Sequence, residues 1–155
     1  MKKLIAYSIL FIIPHLAFNQ NVTKEDNKYY DDRGNLFTGT YVEKYENGQV
    51  KSKIKVKNGI LDGKSIFYYK NGNKKEIRSY KKGKISGTWT EWNKNGVKTG
   101  LASYKEDKKH GVWKVWDDQG TLRYKMYYKK GKKAGTWNMY DAQGNLIQTK
   151  EFSEK

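Results

Sequence analysis

Glycine returns in this chain with a fixed period of 24 residues: Gly39, Gly63, Gly87, Gly111 and Gly135. A second series, Gly48, Gly72, Gly96, Gly120 and Gly144, keeps the same period. Neither series is broken by an insertion or deletion. A constant period in the twenties is the signature of stacked repeats, in which each unit packs chiefly on its neighbours. The clearest unit is Gly111-Val-Trp-Lys-Val-Trp-Asp-Asp-Gln-Gly120, followed by Thr121-Leu-Arg-Tyr-Lys-Met-Tyr-Tyr-Lys-Lys-Gly131.

With the leading glycine numbered zero, positions one to six read as one strand and positions eleven to eighteen as its return. The first turn closes on Asn47-Gly48, Asn71-Gly72, Asn95-Gly96, Gln119-Gly120 or Gln143-Gly144. Asn-Gly between alternating strands is a strong hairpin signal, because both residues tolerate positive φ. A second turn follows at Asn58-Gly59, Lys82-Gly83, Glu106-Asp107 and Lys130-Gly131. Asp107 replaces glycine there and is one of the few residues that also visit the left-handed region. Ahead of the first full unit, Asp31-Asp32-Arg33-Gly34-Asn35-Leu36 repeats the turn of Asp117 to Leu122, but reaches Gly39 after a shorter interval. This is a shortened capping unit, as a solenoid's first repeat lacks a neighbour on one side. The fold class expected is all-β: an elongated single antiparallel sheet of stacked hairpins, five 24-residue repeats plus a shortened N-terminal cap.

In-register hairpins set equivalent positions in rows. Position two gives Tyr41, Ser65, Trp89, Trp113 and Trp137; position five gives Lys44, Tyr68, Trp92, Trp116 and Tyr140; position seventeen gives Val56, Tyr80, Tyr104, Tyr128 and Phe152. Such rows stabilise a sheet by cross-strand packing, so they are expected to be structural and to form the core. A platform for sugar rings or for a partner's side chains is the functional alternative. Position eighteen gives Lys57, Lys81, Lys105 and Lys129, on the face opposite to position seventeen. This ridge is the candidate binding site for an anionic partner. Lysine at strand ends also blocks edge-to-edge association.

The net charge of +16 suits an anionic surface, and the absence of cysteine excludes disulfides, thiolate nucleophiles and cysteine metal sites. Residues 1–19 do not belong to the repeat. Lys2 and Lys3 precede an apolar run from Leu4 to Phe18 that is too short, and too broken by Pro14, to span a membrane. It reads as a signal peptide, with an uncleaved membrane anchor as the lesser alternative, and implies an exported protein, periplasmic or secreted. Residues 20–28 are polar and are expected to be a flexible lead-in. The repeat domain then covers residues 29–155.

The pattern Gly-x-Trp-x-x-Trp/Tyr-x-x-Asn/Gln-Gly, with a later Lys-x-Gly-Lys turn, resembles the MORN-repeat family in its bacterial variant. Asp107-Lys108-Lys109-His110-Gly111-Val112-Trp113 resembles that family's turn followed by His-Gly. The resemblance implies an elongated sheet of hairpins with a binding role. Bacterial proteins of this kind are grouped with the YwqK-type antitoxins, and other MORN proteins are membrane-associated or scaffolding modules. For an exported chain, the implied role is an immunity or interaction protein of the envelope.

No catalytic constellation is legible. His110 aligns with Thr38, Asp62, Ser86 and Ala134 and sits at an inter-hairpin turn. The carboxylates of Asp31, Asp32, Asp117, Asp118 and Asp141 recur beside the first turn, where such residues serve turn chemistry. The glycines follow hairpin spacing rather than a phosphate loop. The sequence therefore points to a non-catalytic protein without metal, cofactor or small-molecule substrate. Its expected partner is another protein. Anionic lipid headgroups or an acidic polysaccharide are the alternative, and export takes nucleic acid out of reach.

Overall fold

A computed structural model describes residues 21–153. The signal-peptide reading of residues 1–19 lies outside them. The stretch expected to be a flexible lead-in instead carries β1 (Thr23–Glu25) and runs into β2 (Lys28–Tyr30), which pair with each other. The full units follow as β3 (Gly39–Lys44), β4 (Val50–Lys57), β5 (Ile60–Leu61), β6 (Gly63–Tyr68), β7 (Lys74–Lys81), β8 (Lys84–Trp92) and β9 (Lys98–Lys105). They continue as β10 (Lys108–Lys109), β11 (Gly111–Trp116), β12 (Leu122–Lys129), β13 (Lys132–Tyr140) and β14 (Leu146–Phe152).

All of these join one open antiparallel sheet whose spatial order follows the sequence, from β3 and β4 through to β13 and β14. The fold class is the expected one. The short β5 and β10 pair with β4 and β9 as the opening residues of strands that then break and resume.

The break is caused by the leading glycine. Arg78 pairs with Trp89 and Tyr80 with Ile85, so the outgoing strand carries extra residues around Gly87. Gly63, Gly87, Gly111 and Gly135 all hold positive φ at this kink. They are therefore bulge glycines within the strand rather than turn residues. The space is also tight: a Cβ on Gly111 would lie 3.3 Å from the Ser103 Cβ.

The two turn series differ in a way the Asn-Gly signal did not reveal. At the first turn only glycine has positive φ; Asn47, Asn71 and Asn95 do not. Gly48 N–H donates to Tyr45 O (2.9 Å) and Tyr45 N–H to Gln49 O (2.8 Å), which is a three-residue loop ending in a left-handed glycine. Asparagine serves through its side chain, as Asn47 Oδ1 accepts from Gln49 N–H at 3.2 Å. The two-residue turn with both φ positive is instead the second one, with Glu106 at 50° and Asp107 at 65°. Each hairpin also carries a register shift one step before the first loop, as between Glu91 and Trp92. Glu91 pairs with Gly100 and Trp92 with Lys98, which leaves Thr99 as the extra residue of a β-bulge.

Enclosed core lies at the N-terminal end. Tyr29, Phe37, Ile54 and Val56 are buried together, with Val22, Tyr41, Leu61 and Phe67 packed around them. The cap is tied on by Tyr29 N–H to Gly59 O (2.9 Å) and Phe37 N–H to Tyr29 O (2.9 Å). Beyond the first hairpins the sheet is a single layer.

Two glycine variants separate conformation from crowding. Gly131 holds φ 90° with no atom within 4 Å of an added Cβ, so Gly131→Ala is expected to cost about 1–2 kcal/mol from the left-handed backbone alone. Gly111→Ala adds the Ser103 contact and is expected to cost about 1 kcal/mol more. Urea melts of both variants check the difference, and equal losses would count against the bulge as the reason for the leading glycine.

Candidate functional site: an aromatic and cationic sheet face

Position two is on β6, β8, β11 and β13, just past the glycine kink, and position seventeen is near the end of the return strand. The kink brings the two rows to one face and interleaves them. Trp89, Tyr104, Trp113, Tyr128, Trp137 and Phe152 form one ladder, with successive ring centroids 6.0, 5.2, 5.2, 5.1 and 4.9 Å apart. Trp113 thus contacts Tyr104 and Tyr128, not the tryptophans of its own row. The tilted ring geometry is the favourable one for aromatic pairs. At the N-terminal end, Tyr29 takes the corresponding place beside Tyr41 at 5.6 Å.

In the last two units the kink leaves a backbone carbonyl within reach of the tryptophan. Trp113 Nε1–H donates to Ser103 O at 3.0 Å, and Trp137 Nε1–H to Tyr127 O at 2.9 Å. In the unit before them, the Trp89 Nε1–H is buried without a partner, as is the Ser65 hydroxyl that occupies the same row.

The rows stack, but they are not the enclosed core expected of them. Val56 and Tyr128 are buried, whereas Trp89, Trp92, Trp113, Trp116, Trp137, Tyr80, Tyr104, Tyr140 and Phe152 are half-buried. With one sheet layer, nothing among the described residues covers them. Cations do part of that work. Arg78 lies over Trp89 with its guanidinium carbon 4.2 Å from the centroid, while its nitrogens bind the buried Glu76 at 2.9 and 3.1 Å. Lys109 Nζ lies 4.4 Å over Trp113 and 4.8 Å over Tyr128. Lys133 Nζ repeats this at 4.8 Å over Trp137 and 5.3 Å over Phe152. Both lysines stand two residues before a leading glycine, where the earlier units have Phe37, Leu61 and Ile85. Sequence reasoning missed this row, although the switch from apolar to lysine at one repeat position was visible. Burial raises the hydroxyl pKa of Tyr128, and burial with the nearby Glu91 charge raises that of Tyr104.

Lys57, Lys81, Lys105 and Lys129 are all exposed at the second-turn edge. The register adds what the row alone did not show. Lys81 stands directly opposite Lys84, Lys105 opposite Lys108 and Lys129 opposite Lys132, whereas Lys57 faces Ile60. His110 lies on the same edge as a lateral link. Its Nδ1 accepts from Lys130 N–H at 3.4 Å, as Thr38 Oγ1 accepts from Asn58 N–H at 2.8 Å and Asp62 Oδ2 from Lys82 N–H at 3.3 Å.

The first-turn acids hold their own loops. Asp117 Oδ1 accepts from Gln119 N–H (3.1 Å) and Thr121 N–H (2.8 Å), and Asp141 Oδ1 from Gln143 N–H (2.9 Å) and Asn145 N–H (2.8 Å). Bonds to the Asn145 side chain and backbone hold the Asp141 carboxyl below the usual carboxylate range. Clefts line the sheet. One of about 310 Å³ lies over the last strands against Tyr124, Met126, Trp137, Met139 and Phe152, with Lys133 and Lys150 in its lining. Two others meet at Glu91 and Val115 in the middle of the array.

The sequence model of the family described as MORN repeat variant matches residues 37–58, 61–82 and 109–130. The match falls on three of the five units. The matched stretches begin at Phe37, Leu61 and Lys109, so they are in phase with the bulge, the ladder and the second turn. No curated protein matches the chain.

The Asp141 loop is expected to respond to acid. Its folded pKa lies below the unfolded value of about 3.9, so its support is complete above that value and is lost as pH falls through the folded pKa. Asp141→Asn keeps the side-chain acceptor but does not titrate. Hydrogen exchange at the Asn145 amide, corrected for intrinsic rate, is expected to accelerate below about pH 4 in the parent and not in the variant. The same acid response in both would show that another group governs the loop.

Proposed function

We propose that this chain is an exported, non-catalytic interaction protein that holds another protein on its aromatic face, in the manner of an envelope immunity factor. The observation that carries the reading is the uncovered ladder from Trp89 to Phe152. Sheets normally bury a hydrophobic face against a second layer, and a contiguous apolar face without one marks an interaction surface. Aromatic residues, methionine and arginine are the types enriched at the centres of protein interfaces, and this face carries all three. The MORN units supply a long, regular platform, as repeat proteins do for extended partners.

Met126 and Met139 line the C-terminal cleft without taking part in the ladder. A pull-down from envelope extract is expected to enrich a specific protein with the parent chain, and to lose it when both methionines are changed to Glu. Recovery of lipid or glycan alone would sink this reading.

The opposed lysines favour a second reading, a basic edge that binds anionic headgroups or an acidic polysaccharide. Like charges directly across a strand pair destabilise it, and an anion laid along Lys81/Lys84, Lys105/Lys108 and Lys129/Lys132 relieves the repulsion. Sedimentation with anionic vesicles is then expected to fall steeply from low to high salt, because screening weakens such contacts. It is expected to drop at least fivefold when Lys57, Lys81, Lys105 and Lys129 become Gln. Equal binding by parent and variant would remove the lysine edge from consideration.

A further inference from the structure

We infer that the third and fourth units contain an aromatic cleft that takes a cationic side chain, lysine or arginine, from a partner protein. The inference rests on the protein-binding reading above and names the partner chemistry that one part of the surface recognises.

The cleft exists because two rows shrink at the same place. Position thirteen reads Ser52, Glu76, Gly100, Tyr124 and Gln148, and position fifteen reads Ile54, Arg78, Ala102, Met126 and Lys150. Only at Gly100 and Ala102 do both lose their bulk. The result is a pit of about 150 Å³, floored by these two residues and walled by Trp89, Tyr104 and Trp113 with Glu91, and Leu101, Lys114 and Val115 complete its lining. The Glu91 carboxylate lies against Gly100, where a Cβ would come 3.0 Å from Oε2.

Glu91 is the unusual member. The neighbouring acids are engaged: Glu76 by Arg78, Asp117 by Arg123 at 3.6 Å, and Asp118 by the Asn93 amide at 3.2 Å. The Glu91 carboxylate makes no hydrogen bond or ion pair among the described residues, in a chain with a net charge of +16. Two cations of this face are already committed, Arg78 to Glu76 and Trp89, and Lys109 to Trp113 and Tyr128, and Lys114, in the lining of the pit itself, forms no ion pair with Glu91 among the described residues. Through Glu91 and Val115 the pit opens into a wider cleft of about 630 Å³, which Trp92 and Trp116 line.

Ring faces carry the negative part of the aromatic quadrupole and attract cations, and an adjacent carboxylate adds a full charge. An anion meets the reverse of both. The same face already uses this contact internally, with Arg78, Lys109 and Lys133 over its three tryptophans. The pit offers it to a side chain from outside.

The test uses the full chain, with hexaarginine and hexaglutamate as probes and tryptophan emission as the readout. At about 0.15 M salt the Debye length is about 8 Å, so the overall positive charge is largely screened beyond the cleft. Hexaarginine is expected to give a saturable change and hexaglutamate none. Glu91→Gln removes the charge at an exposed site. Ala102→Met fills the pit with the side chain that the next unit carries at the same position. Each is expected to weaken hexaarginine at least fivefold while melting like the parent, and Lys53→Gln, an exposed change on β4, is expected to leave it within twofold. No saturable response, a loss below fivefold in either variant, or an equal response to hexaglutamate would overturn the inference. Its failure is distinguishable from that of the protein-binding reading. An envelope protein captured equally by parent and Glu91→Gln sinks the cleft alone. Hexaarginine binding that obeys both variants, with no envelope protein captured, sinks the protein-binding reading alone.

Discussion

Everything in this sheet depends on a kink that only glycine permits. Without the positive φ at Gly63, Gly87, Gly111 and Gly135, each strand leaving the second turn would run straight alongside its neighbour. Position two would then stand in plain cross-strand register. With the kink, the position-two ring leans over the position-seventeen ring of the preceding return strand, and at Trp113 and Trp137 its indole N–H reaches a carbonyl that the bulge leaves accessible. One backbone constraint thus produces the ladder and, in the last two units, its polar satisfaction. The strict period follows, because an inserted residue would put the next ring out of reach.

The lateral hydrogen bonds obey the same spacing. At the second turn, Gly59, Gly83, Asp107 and Gly131 each donate their N–H to the carbonyl of Phe37, Leu61, Ile85 and Lys109, at 2.8, 2.8, 2.9 and 2.8 Å. Asp107 adds a bond that glycine cannot make, since its Oδ1 accepts from Ile85 N–H at 2.7 Å. The one departure from glycine in that series therefore exchanges conformational ease for an extra tie between units. At the opposite edge, the side-chain amides of Asn71 and Asn73 both donate to Lys94 O, at 2.9 and 2.8 Å. Neighbouring units are joined at both edges and by the ladder between them.

The hairpins, their order and the aromatic rows were legible because period and residue type carry them. What was not legible depends on geometry the period does not encode. The Asn-Gly signal marked the first turn correctly but gave asparagine the wrong task, because a three-residue loop needs left-handed backbone only at its glycine. The rows identified which residues align. They did not show that Trp113 meets Tyr104 and Tyr128, since interleaving requires the bulge. The position-eighteen lysines were visible as a row, but their partners Lys84, Lys108 and Lys132 emerge only from the strand register. Glu91 carried no signal at all: its interest lies in Gly100 and Ala102, which leave it open space.

The two ends of the array solve the single-layer problem by different means. At the N-terminal end the extra β1–β2 hairpin supplies a second layer, and Tyr29, Phe37, Ile54 and Val56 are enclosed as in an ordinary core. Toward the C-terminal end the position that held Phe37, Leu61 and Ile85 becomes Lys109 and then Lys133, and each lysine covers two rings while keeping its charge in water. Hydrophobic burial therefore dominates one end, and ring stacking with cation contacts dominates the other. This explains how a chain with scarce aliphatic residues sustains so long a sheet. It also confines the accessible aromatic surface to the later units, because a lysine can be displaced from a ring by a partner, whereas the β1–β2 layer cannot leave without exposing the core.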